Sequence, residues 1–200
     1  MITVCCVRLG LMASTRDRAL TAAIRLVGEQ GVRALTHARV DAEAGLPKGS
    51  TSNWFRTRDA LVAGVIIGIA EQERAELTAA MTFARTADEV VDILSGLVED
   101  ATGPHAARTR ARYALFLETT AAPDARAPMR AQRSMFEEWM RGLLFTLGAR
   151  DPDAAARTML AVCAGIIVNR LTVTPDGPIR PTIELAMRGC LPAQHGARGA

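Results

Sequence analysis

The sequence predicts an all-α fold of about nine helices, on three observations. Ala and Leu dominate the 200 residues, and aromatic residues make up only 4%, a composition that favours helices over sheets. Apolar residues recur at the three- and four-residue spacing of one helix face. Gly and Pro separate the periodic segments, and no segment has a convincing strand pattern or an internal repeat.

The first helix is predicted from Thr15 to Gln30 and ends at Gly31. Polar side chains occupy one of its faces, and an apolar stripe occupies the other: Ala19, Leu20, Ala23, Ile24 and Val27. A stripe of this spacing packs against a core.

Two short helices are predicted next, from about His37 to Ala44 and from about Lys48 to Phe55. Thr36 can cap the first helix, Gly45 can end it in the left-handed conformation, and Pro47 can open the second. A helix of about two turns is not stable alone in water. Neighbouring elements must therefore hold up its polar face, which carries Lys48, Ser50, Ser52 and Asn53. This outline predicts a helix-turn-helix that places its second helix in a DNA major groove.

Residues 44–61, AGLPKGSTSNWFRTRDAL, resemble the DNA-binding segment of the TetR family of bacterial transcriptional repressors. Residues 23–36, AIRLVGEQGVRALT, resemble that family's first helix and its link to the second. The match covers about residues 14–65. The rest of the chain resembles the family only in its length and in being predicted helical. The resemblance implies a DNA-binding domain at 12–60 and a helical ligand-binding and dimerisation domain at 61–191. The sequence of residues 192–200 predicts a disordered tail.

The resemblance also implies contacts to double-stranded operator DNA. The recognition-helix positions that face the groove are Lys48, Gly49, Ser50, Ser52 and Asn53. Lys can reach guanine, and Asn can pair with adenine. The positions that contact phosphates are Thr36, His37, Trp54, Thr57 and Arg58. As alternatives, His37 and Thr57 only start helices, Trp54 is a core aromatic, and Ser52 is merely solvated.

Three positions depart from the family pattern. The family often has Arg where this chain has Ala38, and Arg39 beside it is the remaining candidate for that DNA contact. Asp41 replaces a usual Ala at a tightly packed place, so either the helix packing adjusts or Asp41 pairs with an Arg. Thr51 stands at an inward position that is often Leu.

Charge supports the same location for nucleic acid binding. The formal net charge of the chain is +3. Residues 12–60 carry eight basic and five acidic side chains, and the remainder nets to zero. A basic surplus confined to one segment fits phosphate binding there, although ordinary solvated helix faces can show as much.

A long fourth helix is predicted from Thr57 to about Phe83, near 40 Å at about 1.5 Å per residue. It would join the two domains as a continuous rod. Five more helices follow, near 87–101, 105–120, 124–147, 153–171 and 180–191. Pro128 falls inside the third of these and predicts a kinked or separate first segment. Asp151 is expected to cap the fourth, with Pro152 at its first position.

The resemblance implies an apolar effector pocket in the second domain. The candidates that line it are Met81, Phe83, Leu97, Tyr113, Phe116, Leu117, Glu118, Met135, Phe136, Trp139 and Cys163. Most of these are equally well explained as plain core, and Glu118 and Asn169 as solvated or interhelical groups. The last two helices are candidates for the seam of a homodimer, through Met159, Val162, Ile166, Ile183 and Met187.

No motif indicates catalysis, a metal or a cofactor. The three His are scattered, and the four Cys form no CxxC, which fits reduced thiols in a cytoplasmic protein. No uninterrupted apolar run reaches about 18 residues, and the N-terminal stretch is a poor secretion signal, with Met12 a candidate true start. The sequence therefore predicts a ligand-responsive repressor that is not an enzyme and binds no membrane. The alternatives are a ligandless DNA-binding protein and an enzyme with an unrecognised helical site.

Overall fold

The computed structural model describes residues 14–81, 84–118 and 127–192. Within these ranges the chain forms nine α-helices and no strand, which confirms the predicted all-α fold. The helices are α1 Thr15–Gln30, α2 His37–Glu43, α3 Ser50–Trp54, α4 Arg58–Ala80, α5 Ala87–Thr102, α6 Ala106–Glu118, α7 Ala127–Thr146, α8 Pro152–Thr172 and α9 Arg180–Cys190.

Local capping sets most helix starts. Ser14 caps α1 in a reciprocal pair with Asp17, and Thr86 caps α5 in the same way with Glu89. The predicted caps are also confirmed: Thr57 accepts from the amide of Ala60 at 3.0 Å, and the carboxylate of Asp151 accepts from Ala154 at 2.9 Å. Each cap satisfies an amide that the first helical turn leaves without a partner.

One predicted helix start is wrong. The second short helix begins at Ser50, not Lys48, because Gly49 takes a φ of +91° that no helical residue adopts. Pro47 therefore lies in the turn. The helix predicted from residue 124 is described only from Ala127, with Pro128 as its second described residue, so its predicted start stays a prediction. The predicted tail beyond Pro192, the candidate start at Met12, and residues 119–126 lie outside the described residues.

The buried apolar side chains form two clusters. The first joins α1, α2 and the first half of α4 to Ala111 and Leu115 of α6 and to Met129 of α7. The second joins α5, α7, α8 and α9. The helices α6 and α7 thus touch the N-terminal helices as well as the C-terminal ones. The domain boundary at residue 60 stays a prediction.

A glycine allows a close approach between the two parts. A Cβ added at Gly28 of α1 would lie 2.0 Å from the backbone carbonyl oxygen of Ala107, in the second position of α6. Only glycine permits this packing. A second connection is covalent: α4 has 23 residues, about 34 Å at 1.5 Å per residue, and runs from the end of the helix-turn-helix into the C-terminal helices.

Candidate DNA interface and effector cavity

The turn between α2 and α3 is built by two glycines in the left-handed region. Gly45 has a φ of +60°, as predicted, and Gly49 has a φ of +91°. The amide of Leu46 donates to the carbonyl of Asp41 at 2.8 Å, which closes the end of α2. The guanidinium of Arg18 in α1 donates to the carbonyl of Ala44 at 2.8 Å and to that of Gly45 at 3.2 Å. The turn is therefore held from both sides.

Asp41 anchors the start of α3. Its Oδ2 accepts from the amide of Gly49 at 2.7 Å, and its Oδ1 accepts from the amide and hydroxyl of Thr51 at 2.8 and 2.5 Å. Asp41 is 4% exposed and Thr51 is 0% exposed. Asp41 thus pairs with Thr51 and Gly49 rather than with an Arg. Burial alone would raise the pKa of Asp41, but these hydrogen bonds hold it below its ordinary value.

Two contacts hold the C-terminal end of α3, one through the carbonyl of Phe55 and one through its ring. Nε2 of His37 donates to the carbonyl oxygen of Phe55 at 2.6 Å. The Phe55 ring is buried and fits against Gly64 of α4, where an added Cβ would lie 2.3 Å from Cε1 of the ring. His37 is thus a structural contact of α3 in this conformation, with part of its ring still exposed.

The outward face of the helix-turn-helix carries most of the predicted DNA-contacting residues. Eight of these residues are exposed: Thr36, Arg39, Lys48, Ser52, Asn53, Trp54, Thr57 and Arg58. The other three are partly buried: His37, Gly49 and Ser50. Trp54 is 54% exposed, so it is not a core aromatic. Ser50 donates to the carbonyl of Pro47 at 2.6 Å, Arg39 pairs with Gln30, and Arg58 donates to the carbonyl of Val32 at 3.3 Å.

A cavity of about 880 Å³ lies among α4, α5, α6, α7 and α8. Its wall is mostly apolar, and Leu94, Val98, Phe136 and Ile167 form part of it. Cavities of this size and character are typical of sites for drug-sized ligands.

The predicted pocket residues divide into two groups. Leu97, Tyr113, Phe116, Leu117, Phe136 and Cys163 line the cavity, whereas Met81, Met135 and Trp139 lie elsewhere among the described residues. Phe83 and the side chain of Glu118 lie outside the described part. Burial raises the pKa of the Cys163 thiol to about 11, so the thiol is protonated at neutral pH.

The sequence did not single out the charged residues of the cavity wall. Arg108 forms a two-point ion pair with Glu76, and Nε2 of His105 lies 3.5 Å from the same carboxylate. Arg112 lies 3.4 Å from Glu73. Burial raises the pKa of Glu73, and the two arginines partly oppose that rise. These side chains meet from different helices, so no short-range pattern reveals them.

The predicted dimer-seam residues face inward. Met159, Ile166, Ile183 and Met187 are buried in the second apolar cluster of the chain itself, and Val162 packs against it. That part of the prediction is wrong, because the opposite faces of α8 and α9 are the exposed ones. They carry Ala161, Gly165, Val168 and Leu185, the last 71% exposed.

By length and composition alone, α8 could cross a membrane, and among the described helices only α8 passes that test. One face of α8 packs into the second cluster, and the other exposes small and apolar side chains. Only 17% of its 18-residue apolar window is buried among the described residues.

The chain was compared with known proteins. A family model described as tetracyclin repressor-like, C-terminal domain, matches residues 85–193. No curated protein matches the chain. A TetR-family member from Streptomyces coelicolor A3 is 29% identical, with a TM-score of 0.64, over 90% of this chain and 99% of that one.

Two further solved structures are similar. The multidrug binding protein EbrR complexed with ethidium is 27% identical, with a TM-score of 0.60, over 89% of this chain and 98% of that one. NalD, the secondary repressor of the MexAB-OprM multidrug efflux pump in Pseudomonas aeruginosa, is 19% identical, with a TM-score of 0.67, over 90% and 98%. At that identity NalD shares the fold alone.

Proposed function

Since the chain belongs to the TetR family of transcriptional regulators, we propose that it is a cytoplasmic, ligand-responsive repressor that binds palindromic operator DNA as a homodimer. A small, largely apolar effector in the cavity releases it from DNA. The observation that carries the proposal is the pairing of an anchored, outward-facing α3 with a cavity whose walls include α4 and α6, the two helices that connect to the helix-turn-helix.

For the DNA side, support comes from how α3 is held. It has five residues, too few to be stable alone, and its first turn has no side-chain cap of its own. Asp41 supplies that cap from α2, and His37 and Phe55 secure the other end. Such anchoring is expected where an exposed polar face must meet base edges in a fixed orientation.

In the proposed complex, Lys48 and Asn53 contact bases, with Gly49, Ser50 and Ser52 close to the groove floor. Thr36, Trp54, Thr57 and Arg58 contact phosphates through their exposed hydroxyl, indole and guanidinium donors. Arg39 and His37 also contact phosphates, although both, like Arg58, have partners within the chain.

The effector side is supported by the cavity and by a relative. EbrR is described as a multidrug binding protein complexed with ethidium, and it covers nearly the same length as this chain. The cavity here has the volume and the mostly apolar wall that a small-molecule effector requires.

Coupling follows from which helices the effector would touch. The cavity wall includes Glu73, Glu76 and Leu77 of α4, whose other end follows directly from α3. It also includes Arg108 and Thr109 of α6, next to the Ala107 carbonyl that packs on Gly28 of α1. An effector that shifts α4 or α6 would move the two recognition helices of a dimer out of register with successive grooves.

The enzyme alternative has lost its support, because the matched family and the similar structures are transcriptional regulators. The ligandless alternative predicts that no small molecule changes operator affinity.

The decisive experiment is selection of bound sequences from random DNA, followed by affinity measurements on the consensus. We expect a palindromic consensus. Lys48→Ala and Asn53→Ala should each weaken binding about tenfold or more, since a base contact contributes roughly 1–3 kcal/mol. Arg150→Ala, which removes one exposed positive charge far from α3, is the control and should change affinity little. Failure to enrich any sequence, or unchanged affinity of both folded variants, would overturn the proposal.

A further inference from the structure

The last carbonyls of α2 have their partner on another helix. The helix α2 ends at Glu43, and the carbonyl oxygens at a helix C-terminus have no amide of the helix itself to accept from. Nη2 of Arg18 in α1 donates to the carbonyl oxygens of Ala44 and Gly45. Within the described part of the chain, no backbone amide donates to either oxygen. One guanidinium of α1 therefore closes the end of α2, where a positive charge is also favourable.

This contact falls in the turn that carries α3. Gly45 and Gly49 both take positive φ values, and glycine has more conformational freedom than any other residue, so the backbone of the turn does not fix its own shape. Side chains fix it instead. Asp41 holds α3 against α2 through the amides of Gly49 and Thr51, and Arg18 holds the turn against α1.

The helix α1 gives Arg18 a fixed frame. The inward face of α1 is buried in the first apolar cluster, and its Gly28 packs against the backbone of Ala107 in α6. Arg25 of α1 pairs with Glu43 of α2, whereas Arg18 reaches the turn itself. Loss of the Arg18 contact would therefore leave α1 and α2 packed together and would free the turn.

Arg18 is exposed, and an exposed arginine in a DNA-binding domain can act in two ways. As a phosphate contact it would strengthen binding to every sequence alike. As an anchor of the turn it would matter where hydrogen bonds to base edges require α3 in one orientation. The two carbonyls already engage its Nη2, which favours the second role.

We propose that Arg18 is a positioning residue for operator recognition, which holds the turn between α2 and α3 against α1 and does not itself contact DNA. The inference rests on the proposed function, because it requires an operator that α3 reads. Removal of the guanidinium lets α3 rotate against the bases while the phosphate contacts stay in place. The loss therefore falls on the ratio of operator affinity to affinity for random DNA.

The test compares the selected consensus with a random duplex of equal length, by fluorescence anisotropy at several KCl concentrations. Arg18→Met keeps an unbranched apolar side chain but removes every donor. We expect the purified full chain with this substitution to bind the consensus about tenfold or more weakly, and the random duplex within about twofold of the wild type. The slope of log affinity against log salt should not change, because each lost phosphate contact would make it shallower by about 0.9.

Arg16→Met is the matched control. It removes the same charge two residues earlier on α1, where Nη1 of Arg16 lies 3.9 Å from Oδ1 of Asp17. The ratio of the two affinities should stay that of the wild type, because a lost charge weakens both duplexes alike. The melting temperature of each variant shows that it is folded, and Arg18→Gln, whose side chain is too short to reach the turn, replaces Arg18→Met if the latter does not fold.

Three results would overturn the inference: an unchanged ratio in the folded Arg18 variant, an equal loss on both duplexes with a shallower salt slope, or the same loss of ratio in Arg16→Met. The second of these would make Arg18 a phosphate contact. A wild-type chain that prefers no sequence would contradict the proposed function and this inference together. A wild-type chain that prefers its consensus, with an Arg18 variant that prefers it equally, would contradict this inference alone.

Discussion

Asp41 of α2 and Thr51 of α3 form a fully buried hydrogen-bonded pair, in which the hydroxyl of Thr51 donates to Oδ1 of Asp41 at 2.5 Å. Both residues depart from the TetR family pattern, which often has Ala and Leu at these two positions. In place of an apolar contact, this chain uses one carboxylate to cap the recognition helix from its neighbour. The orientation of α3 thus depends on the side chain of Asp41.

Asp41→Asn is expected to loosen the start of α3. The Asn side chain can still accept from Thr51, but its NH₂ group cannot accept from the amide of Gly49. Loss of a buried hydrogen bond to a charged group should lower the free energy of unfolding by about 1–3 kcal/mol. Denaturant unfolding measures this, and hydrogen exchange should show a faster Gly49 amide.

Asp41→Ala with Thr51→Leu provides the matching control. Each single variant leaves buried polar groups without partners, whereas the double variant replaces the pair by the apolar one of the family. We expect the double variant to be more stable than the sum of the single effects predicts, by 1 kcal/mol or more. Strict additivity would show that the two residues do not act as a pair.

The Asp41 contribution should also depend on pH. Its pKa in the folded chain lies below the ordinary 3.8, so the stabilisation is complete above that value and is lost as pH falls through the folded pKa. The difference in unfolding free energy between the wild type and Asp41→Asn should be constant from pH 7 to about 5 and shrink below about 4. A difference that grows at low pH would exclude the ionised carboxylate as the cap.

Gly28→Ala should separate α1 from α6. The added Cβ would lie 2.0 Å from the Ala107 carbonyl oxygen, which belongs to backbone and cannot rotate away. Overpacking of this kind costs about 1–3 kcal/mol, seen as a lower melting temperature. Gly96→Ala is the control, because a Cβ added at Gly96 meets nothing within 4 Å. This substitution also replaces a glycine inside a helix, so it should stabilise α5 slightly.

Ala161→Glu tests whether the exposed face of α8 forms the interface of the proposed homodimer. Ala161 lies on the exposed face of α8 with Gly165 and Val168. A carboxylate buried in a homodimer interface would be repeated by symmetry and left without a partner. We expect a monomer in analytical ultracentrifugation, with operator affinity reduced at least tenfold. Ala131→Glu on the exposed face of α7 should remain dimeric, and a dimeric Ala161→Glu would exclude this face.

The sequence alone determined the helices and most of their ends. Ser, Thr and Asp caps act over three residues, left-handed glycines act over one, and the apolar stripe of α1 repeats within 16 residues. Interactions between residues so close in sequence can be predicted from the sequence alone. The resemblance over residues 14–65 predicted which residues of α3 face outward. The roles of these residues in DNA binding remain predictions.

Tertiary structure alone decided which distant side chains meet. Asp41 was recognised as unusual from the sequence, but its partners lie eight and ten residues away, across a turn that no periodicity describes. In the cavity wall, Glu73 of α4 meets Arg112 of α6, which lies 39 residues further along the chain. The inward and outward faces of α8 could not be told apart, because both are apolar, and only packing against α7 and α9 shows which one is exposed.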